Sequence, residues 1–163
     1  MNIGKEQQPD LFKVLAFTGD QITSAQGNAC NIYAYSTRPC TTVLDTEATH
    51  CQTWFDNQKN VYVVECFNDG KLIVCCGHGL LSAAYYWMRK QKIDKLSLLM
   101  NGTLIPAYFD NNNVWLRFPR TACNPCDPPD WLDELIGNDQ SIAAATAGDD
   151  NGYIIVQWPD NYP

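Results

Sequence analysis

Apolar residues recur along the chain in short runs of strand length, separated by polar turn signals. The run at 61–67 is apolar nearly throughout, as in a strand that is buried on both faces. Asn68-Asp69-Gly70 and Asn101-Gly102 are hairpin turn signals, and Asn101-Gly102 is the strongest turn dipeptide in the chain. The pattern predicts strands at residues 11–17, 31–36, 52–55, 61–67, 71–75, 95–100, 103–109, 114–118, 141–147 and 153–158.

One stretch, Gly77 to Lys92, has helical spacing instead. Its broad apolar face predicts a helix that a sheet largely encloses, and Arg89, Lys90 and Lys92 in its last turn suit the helix dipole. Weaker signals predict short helices at 41–50 and, after Pro128-Pro129-Asp130, at 131–136. Strands around one long helix favour an α+β fold with a mixed, mostly antiparallel sheet wrapped around that helix.

The net charge of the chain limits the kinds of partner that we expect it to bind. The 163 residues carry 18 Asp and Glu against 11 Lys and Arg, a formal net charge of -7. We therefore expect no nucleic acid and no anionic membrane as partner, and we interpret the basic cluster of Arg89, Lys90, Lys92 and Lys95 as a solvated helix face. No run reaches the roughly 18 apolar residues of a membrane-spanning helix, and residues 1–10 lack the apolar core of a signal peptide. These features predict a cytoplasmic protein.

Eight cysteines are spread over strand-like and loop-like segments, at positions 30, 40, 51, 66, 75, 76, 123 and 126. In a reducing compartment we expect them to be free thiols rather than a disulfide framework. Cys123-x-x-Cys126 is the one zinc-like spacing, but zinc needs four ligands and the only histidines are His50 and His78. The sequence therefore predicts no metal site.

The segment Cys75-Cys76-Gly77-His78-Gly79-Leu80-Leu81-Ser82-Ala83-Ala84 follows a predicted hairpin and opens the predicted helix. It resembles the C/A-G-H signature of PhzF-type isomerases, relatives of diaminopimelate epimerase, at the same place in their N-terminal lobe. Weaker matches in the family's order are Phe17-Thr18, Gly27-Asn28, the 61–79 hairpin, 114–119 and 131–137.

The resemblance implies a diaminopimelate epimerase-like lobe over residues 1–137, with 138–163 crossing toward a second lobe. Family members have two such lobes, and helix N-termini hold the carboxylate of a small substrate in the cleft between them. Backbone amides of Gly77, His78 and Gly79 would form that part here, because free amides at a helix start bind anions. The family pattern also implies substrate-binding positions at Gly27 and Asn28 and a catalytic His78. Gly77 and Gly79 can equally be read as shaping a tight strand-to-helix turn.

The chain departs from the family pattern at the position of the glutamate that usually acts as the catalytic base. Gln52 in Cys51-Gln52-Thr53 stands where the family's catalytic glutamate belongs, and an amide cannot shuttle a proton. Glu47 could replace it only if the alignment slipped by five residues. Cys76 matches the catalytic cysteine of diaminopimelate epimerase, and it can also be read as a buried, inert thiol.

The resemblance leaves three functions open, because a full family member is roughly twice as long. The first is a cofactor-independent isomerase or epimerase that moves a proton on a small carboxylate substrate, whose activity Gln52 would impair. The second is a non-catalytic relative that binds a ligand or a partner. The third is a fragment of a two-lobe enzyme. We expect the cleft to be completed by a second copy, in a homodimer, or by a missing second lobe.

Overall fold

The computed structural model describes residues 8–16, 28–41, 49–127, 131, 143–147 and 153–157. It divides the chain into two compact units, residues 1–118 and 119–163. The predicted boundary at 137–138 lies outside the described residues.

The first unit holds one mixed sheet. Its order is β1-β2-β3-β4-β6-β7-β8, and β5 pairs with β4. The β2–β3 and β4–β6 pairs are parallel and every other pair is antiparallel. The strands are β1 (Asp10–Ala16), β2 (Asn28–Tyr35), β3 (His50–Asp56), β4 (Val61–Asn68), β5 (Lys71–Ile73), β6 (Lys95–Met100), β7 (Thr103–Asp110) and β8 (Asn113–Leu116).

A single 15-residue helix, α1 (Gly77–Gln91), lies against this sheet. It contacts every described strand of the sheet except the short β5, including both edge strands, β1 and β8. The sheet must therefore curl around the helix, which confirms the predicted α+β lobe. The helix ends where Lys92 takes a left-handed conformation with φ of 54° and its amide bonds the Met88 carbonyl.

The side of the sheet that faces α1 forms the core. Leu80, Ala83 and Ala84 of the helix are fully buried against strand residues such as Ile32 and Leu98. Small helix residues let the backbone of α1 approach the sheet closely.

A buried polar chain fixes the register of α1 on the sheet. The Trp87 indole N–H donates to the Thr53 hydroxyl at 2.9 Å, and that hydroxyl donates to the Val63 carbonyl at 2.7 Å. The indole N–H and the hydroxyl are thus both satisfied, which avoids the free-energy cost of leaving either buried donor unpaired.

The second unit holds a three-stranded antiparallel sheet of order β11-β10-β9. Its strands are β9 (Cys123–Cys126), β10 (Ala143–Ala147) and β11 (Tyr153–Gln157). The sequence predicted β10 and β11 but no strand at Cys123–Cys126, and this omission was wrong. Pro125 hides the strand signal, and β9 tolerates it because an edge strand need not donate every backbone hydrogen bond.

The remaining predicted elements of the first unit are confirmed within a few residues. The weak helices at 41–50 and 131–136 lie almost wholly outside the described residues, although His50 already belongs to β3. Among the described residues no helix combines the length and the apolar character that crossing a membrane requires.

Candidate functional site

The link from β5 to the first turn of α1, residues 76–79, forms a corner on the surface of the first unit. The first intrahelical hydrogen bond runs from the Leu80 amide to the Cys76 carbonyl at 3.0 Å. The amides of Gly77, His78 and Gly79 precede it, so the helix itself offers them no acceptor. Gly77 and His78 are half-buried, and a methyl group built on Gly77 would meet nothing within 4 Å. Open space therefore lies beside the Cα of Gly77.

The side chain of Cys76, the N-cap residue of α1, points the other way. It is only 3% exposed. Its sulfur lies 3.7 Å from Nδ1 and 3.9 Å from Nε2 of His78. The sequence-predicted pair of Cys76 and His78 is thus brought into contact, with the sulfur on the inner side of the corner.

Beneath the corner, Cys76 meets two cysteines that the sequence analysis did not connect with it. The sulfurs of Cys51, Cys66 and Cys76 all lie within 4.8 Å of one another. Cys51 and Cys66 are opposite each other on β3 and β4, with their sulfurs 2.6 Å apart, and Cys30 Sγ on β2 is 3.5 Å from Cys51 Sγ. We call these four residues the thiol cluster. None of them is more than 3% exposed.

The surroundings of Cys76 favour the thiolate form of its sulfur over those of the other members of the thiol cluster. Hydrogen bonds from the thiols of Cys51 and Cys66 lower the pKa of Cys76 to about 3, and the Gly79 amide and His78 act in the same direction against the effect of burial. The pKa of Cys51 is raised well above its usual value by its hydrogen bonds to the other sulfurs and by burial. Cys66 accepts a hydrogen bond that lowers its pKa, but its bond to Cys76 and its burial raise it further. These opposite shifts of pKa favour neutral thiols at Cys51 and Cys66 and a thiolate at Cys76.

Gly79 closes the corner over the thiol cluster. A methyl group built on it would lie 2.9 Å from Cys76 Sγ, 2.5 Å from Cys66 Sγ and closer still to Cys51 Sγ. Any side chain at this position would collide with three sulfurs. The two glycines of the motif thus have different reasons to be glycine, since Gly77 faces open space and Gly79 faces packed sulfur.

Gln52, at the position of the family glutamate, lies on β3 between Cys51 and Thr53. Both neighbours face α1, through Cys76 and Trp87 respectively, and successive side chains of a strand alternate. Gln52 therefore points to the opposite face of the sheet from Cys76. It is 1% exposed, and its Nε2 has no hydrogen-bond partner among the described residues.

The other two predicted substrate-binding positions, Gly27 and Asn28, are not part of the corner. Gly27 lies outside the described residues. Asn28 begins β2, where its backbone pairs with Ala16, and it precedes Cys30 of the thiol cluster by two residues, or about 7 Å along a strand. The start of β2 thus lies near the cluster, but only Cys76, Gly77, His78 and Gly79 form the corner itself.

The pairing of Cys51 with Cys66 could have been predicted from the hairpin that joins β3 to β4. The turn at 57–60 pairs Asp56 with Val61, and counting outward from it pairs Cys51 with Cys66. The approach of Cys76 and Cys30 depends on the helix packing and on a parallel strand pair, and no local pattern shows either.

Two cavities of the first unit lie near the other end of α1. One of about 390 Å³ is lined by Met88, Arg89, Lys92, Ile93, Asp94 and Phe109. The other, of about 660 Å³, runs between β4, β6 and β7 and includes Lys95 and Arg117. Neither includes a corner residue, and a 15-residue helix separates its two ends by about 20 Å.

Comparison with known proteins finds similarity at the level of structure. No protein-family model matches the chain, and no curated protein matches it. The chain is similar to a PhzF-family phenazine biosynthesis protein from Enterococcus faecalis, with TM-score 0.67 and 17% identity over 86% of this chain and 54% of that one.

Two further solved structures give the same result. A PhzF-family phenazine biosynthesis protein from Bacillus anthracis has TM-score 0.61 and 18% identity over 94% of this chain and 56% of that one. A predicted epimerase from Pseudomonas aeruginosa has TM-score 0.58 and 14% identity over 94% of this chain and 59% of that one. The chain therefore has the PhzF-type, diaminopimelate epimerase-like fold, and it spans somewhat more than half the length of these structures.

Proposed function

We propose that the chain is the carboxylate-binding half of a PhzF-type isomerase that moves a proton on a small carboxylate substrate. The observation that carries this proposal is the corner at the start of α1. There the amides of Gly77 and His78 have no intrahelical acceptor and Gly77 faces open space. Free amides at the positive end of a helix dipole favour an anion, and a carboxylate fits two adjacent N–H groups.

His78 would orient the bound substrate. Its ring is half-buried, lies beside the Cys76 thiolate and belongs to the same turn as the amides. The contact with the sulfur restricts the ring, so that its outer edge can offer a hydrogen bond to a ligand held at the corner. A fixed second contact of this kind selects a substrate that carries a polar group close to its carboxylate.

Neither Gln52 nor Cys76 is a suitable base for proton transfer. Gln52 carries no titratable proton, and Cys76 turns inward with a pKa of about 3, far below the range in which a base also returns its proton at neutral pH. We propose that a complementary half, a second lobe or a second copy of this chain, supplies it. Leu72 and Val74, just before the corner, are 52% and 80% exposed and would be covered by such a half.

The test is exchange of substrate α-protons in heavy water, over a panel of small amino and hydroxy acids, at a protein concentration whose assembly state is known from the solution mass. We expect exchange that Gly77→Ala suppresses without unfolding the protein, because the methyl group adds bulk at the open surface beside the amides. Cys75→Ser, an exposed change next to the corner, is the matched control and should leave exchange unaltered. Exchange that persists in Gly77→Ala would show that the corner does not hold the substrate.

A second candidate function is ligand binding without catalysis, and Gln52 favours it. Such a protein would keep the anion-binding corner and lose proton transfer. This second function is supported if the protein binds carboxylates, if Gly77→Ala weakens that binding, and if no compound exchanges its α-proton. Absence of both binding and exchange would contradict both functions.

A further inference from the structure

The thiol cluster is not required by the proposed function. Four buried sulfurs come from four different segments: β2, β3, β4 and the N-cap of α1. Buried free cysteines act as small apolar residues and pack as well against carbon as against sulfur. Packing alone therefore gives no reason for Cys51 to lie against three other thiols.

The backbone of the corner is shaped around these sulfurs. Gly79 is the one position of the first helical turn whose missing side chain makes room for them, since a methyl group there would overlap the sulfurs of Cys51, Cys66 and Cys76. This position lies inside a helix, where alanine is normally more stable than glycine by roughly 0.5–1 kcal/mol. The sulfurs thus converge at a place where the chain gives up helix stability to accommodate them.

Thiolates gathered in this way are ligands for a soft metal ion. Zinc binds cysteine sulfur with bonds of about 2.3 Å, which holds tetrahedral sulfur ligands about 3.8 Å apart. The sulfurs of Cys51, Cys66 and Cys76 lie within 4.8 Å of one another, and Cys30 Sγ lies 3.5 Å from Cys51 Sγ. Binding of an ion would require Cys51 and Cys66, which are 2.6 Å apart, to separate by about 1 Å, and Cys30, which lies outside this group of three, to move closer to it. The N-terminus of α1 would also stabilise the net negative charge of a zinc–thiolate group.

We propose that Cys51, Cys66 and Cys76 bind a zinc ion on the inner side of the corner, with Cys30 as the fourth ligand. Each cysteine binds the ion as a thiolate, and any proton that its sulfur carries is released to solvent. The ion then joins β2, β3 and β4 to the start of α1. This site is distinct from the Cys123-x-x-Cys126 spacing, and it faces away from the amides of Gly77 and His78.

A cross-strand disulfide between Cys51 and Cys66 is the alternative outcome. It would account for two of the four sulfurs and would leave Cys76 and Cys30 without a reason to be close. It would also remove the two thiols that donate to the Cys76 thiolate. The convergence of all four residues therefore favours the metal.

The test uses the full chain, reduced and freed of metal, with Cys123→Ser and Cys126→Ser so that the CxxC pair cannot bind the probe. Cobalt(II) is the probe because it replaces zinc and absorbs visibly when thiolates surround it tetrahedrally. We expect thiolate-to-cobalt charge-transfer and tetrahedral d–d bands that saturate at a single equivalent, disappear on addition of zinc, and accompany proton release. Reduced protein that develops neither set of bands would overturn the proposal, and this result does not depend on the folding of any cluster variant.

Two neighbouring cysteines provide matched variants. Cys76→Ser should weaken the charge-transfer band and shift the d–d bands, because one of the four thiolates is lost, whereas Cys75→Ser, exposed and one residue away, should leave both sets of bands unchanged. Zinc should raise the melting temperature of the parent and of Cys75→Ser more than that of Cys76→Ser, because a ligand stabilises the folded state in proportion to how tightly it binds that state. Cobalt bands in Cys76→Ser that match those of the parent, or a Cys51–Cys66 disulfide that forms in air while the reduced protein binds no cobalt, would refute the zinc site.

Discussion

The first turn of α1 has two sides with opposite properties. The outer side, at Gly77 and His78, is open and offers backbone amides, whereas the inner side, at Cys76 and Gly79, is sealed by buried sulfur. Both sides come from one four-residue segment, so the same sequence motif must satisfy an open surface and a packed interior. This difference shows that Gly77 and Gly79 are not equivalent and that Cys76 belongs to the interior.

Gly79→Ala should have the largest effect and tests the sealed side. The new methyl group would overlap three sulfurs held by separate strands, and we expect a loss of about 3 kcal/mol in the free energy of unfolding. Urea unfolding followed by tryptophan fluorescence measures it. An unchanged or increased stability would show that the interior at this point is loosely packed.

Thr53→Val should have the next largest effect and tests how the middle of α1 is anchored behind the corner. The change leaves the buried Trp87 indole N–H without its acceptor, at a cost of about 2 kcal/mol in the free energy of unfolding. Thr103→Val, at an exposed strand position, is the control and should change stability little. Equal midpoints for the two variants in urea would mean that the Trp87–Thr53 bond does not hold the helix.

Asp10→Asn should have a small effect and tests the far end of α1. Hydrogen bonds from Lys90 and Tyr86 lower the pKa of Asp10, and the bond to Asp10 raises the pKa of Lys90. The pair is exposed, so its contribution is small and screened by salt. The contribution is present above the unfolded pKa of Asp10 and is lost as the pH falls through its lower folded value.

Thermal unfolding of Asp10→Asn and of the parent across pH gives the measurement. The two melting temperatures should differ slightly near neutral pH and converge in acid. The difference should also shrink in strong alkali, as the pH rises through the raised pKa of Lys90. A difference that grows in acid would contradict the assigned sign.

Gly77→Ala should have the smallest effect on stability and tests the open side. Nothing lies within 4 Å of the new methyl group, so the free energy of unfolding should change by less than about 0.5 kcal/mol. Binding of small carboxylates should nevertheless weaken. A destabilisation comparable to that of Gly79→Ala would show that the two sides of the turn do not differ.

The sequence predicted most of the lobe, because local signals determine it. The apolar spacing over 77–92 gave the helix, and Asn101-Gly102 fixed the hairpin between β6 and β7, whose bounds at 95–100 and 103–110 differ from prediction by one residue at most. The strand β9 was missed because Pro125 and the absence of an apolar run remove its signal.

The site was less predictable because it depends on contacts distant along the chain. The motif at 76–79 located the corner, and the hairpin turn at 57–60 sets Cys51 opposite Cys66. The approach of Cys30 requires the parallel β2–β3 pair, whose register no turn fixes. The inward direction of Cys76 follows from how α1 packs on the sheet, which the spacing of apolar residues does not specify.

The most direct test of the two-sided turn is an amide NMR titration of the isotope-labelled protein with a small carboxylate, lactate or alanine. We expect the amide signals of Gly77 and His78 to shift and saturate, while that of Gly79, turned toward the sulfur of Cys76, stays nearly unchanged. Shifts that are absent at Gly77 and His78, or that are as large at Gly79, would contradict an open outer side and a sealed inner side.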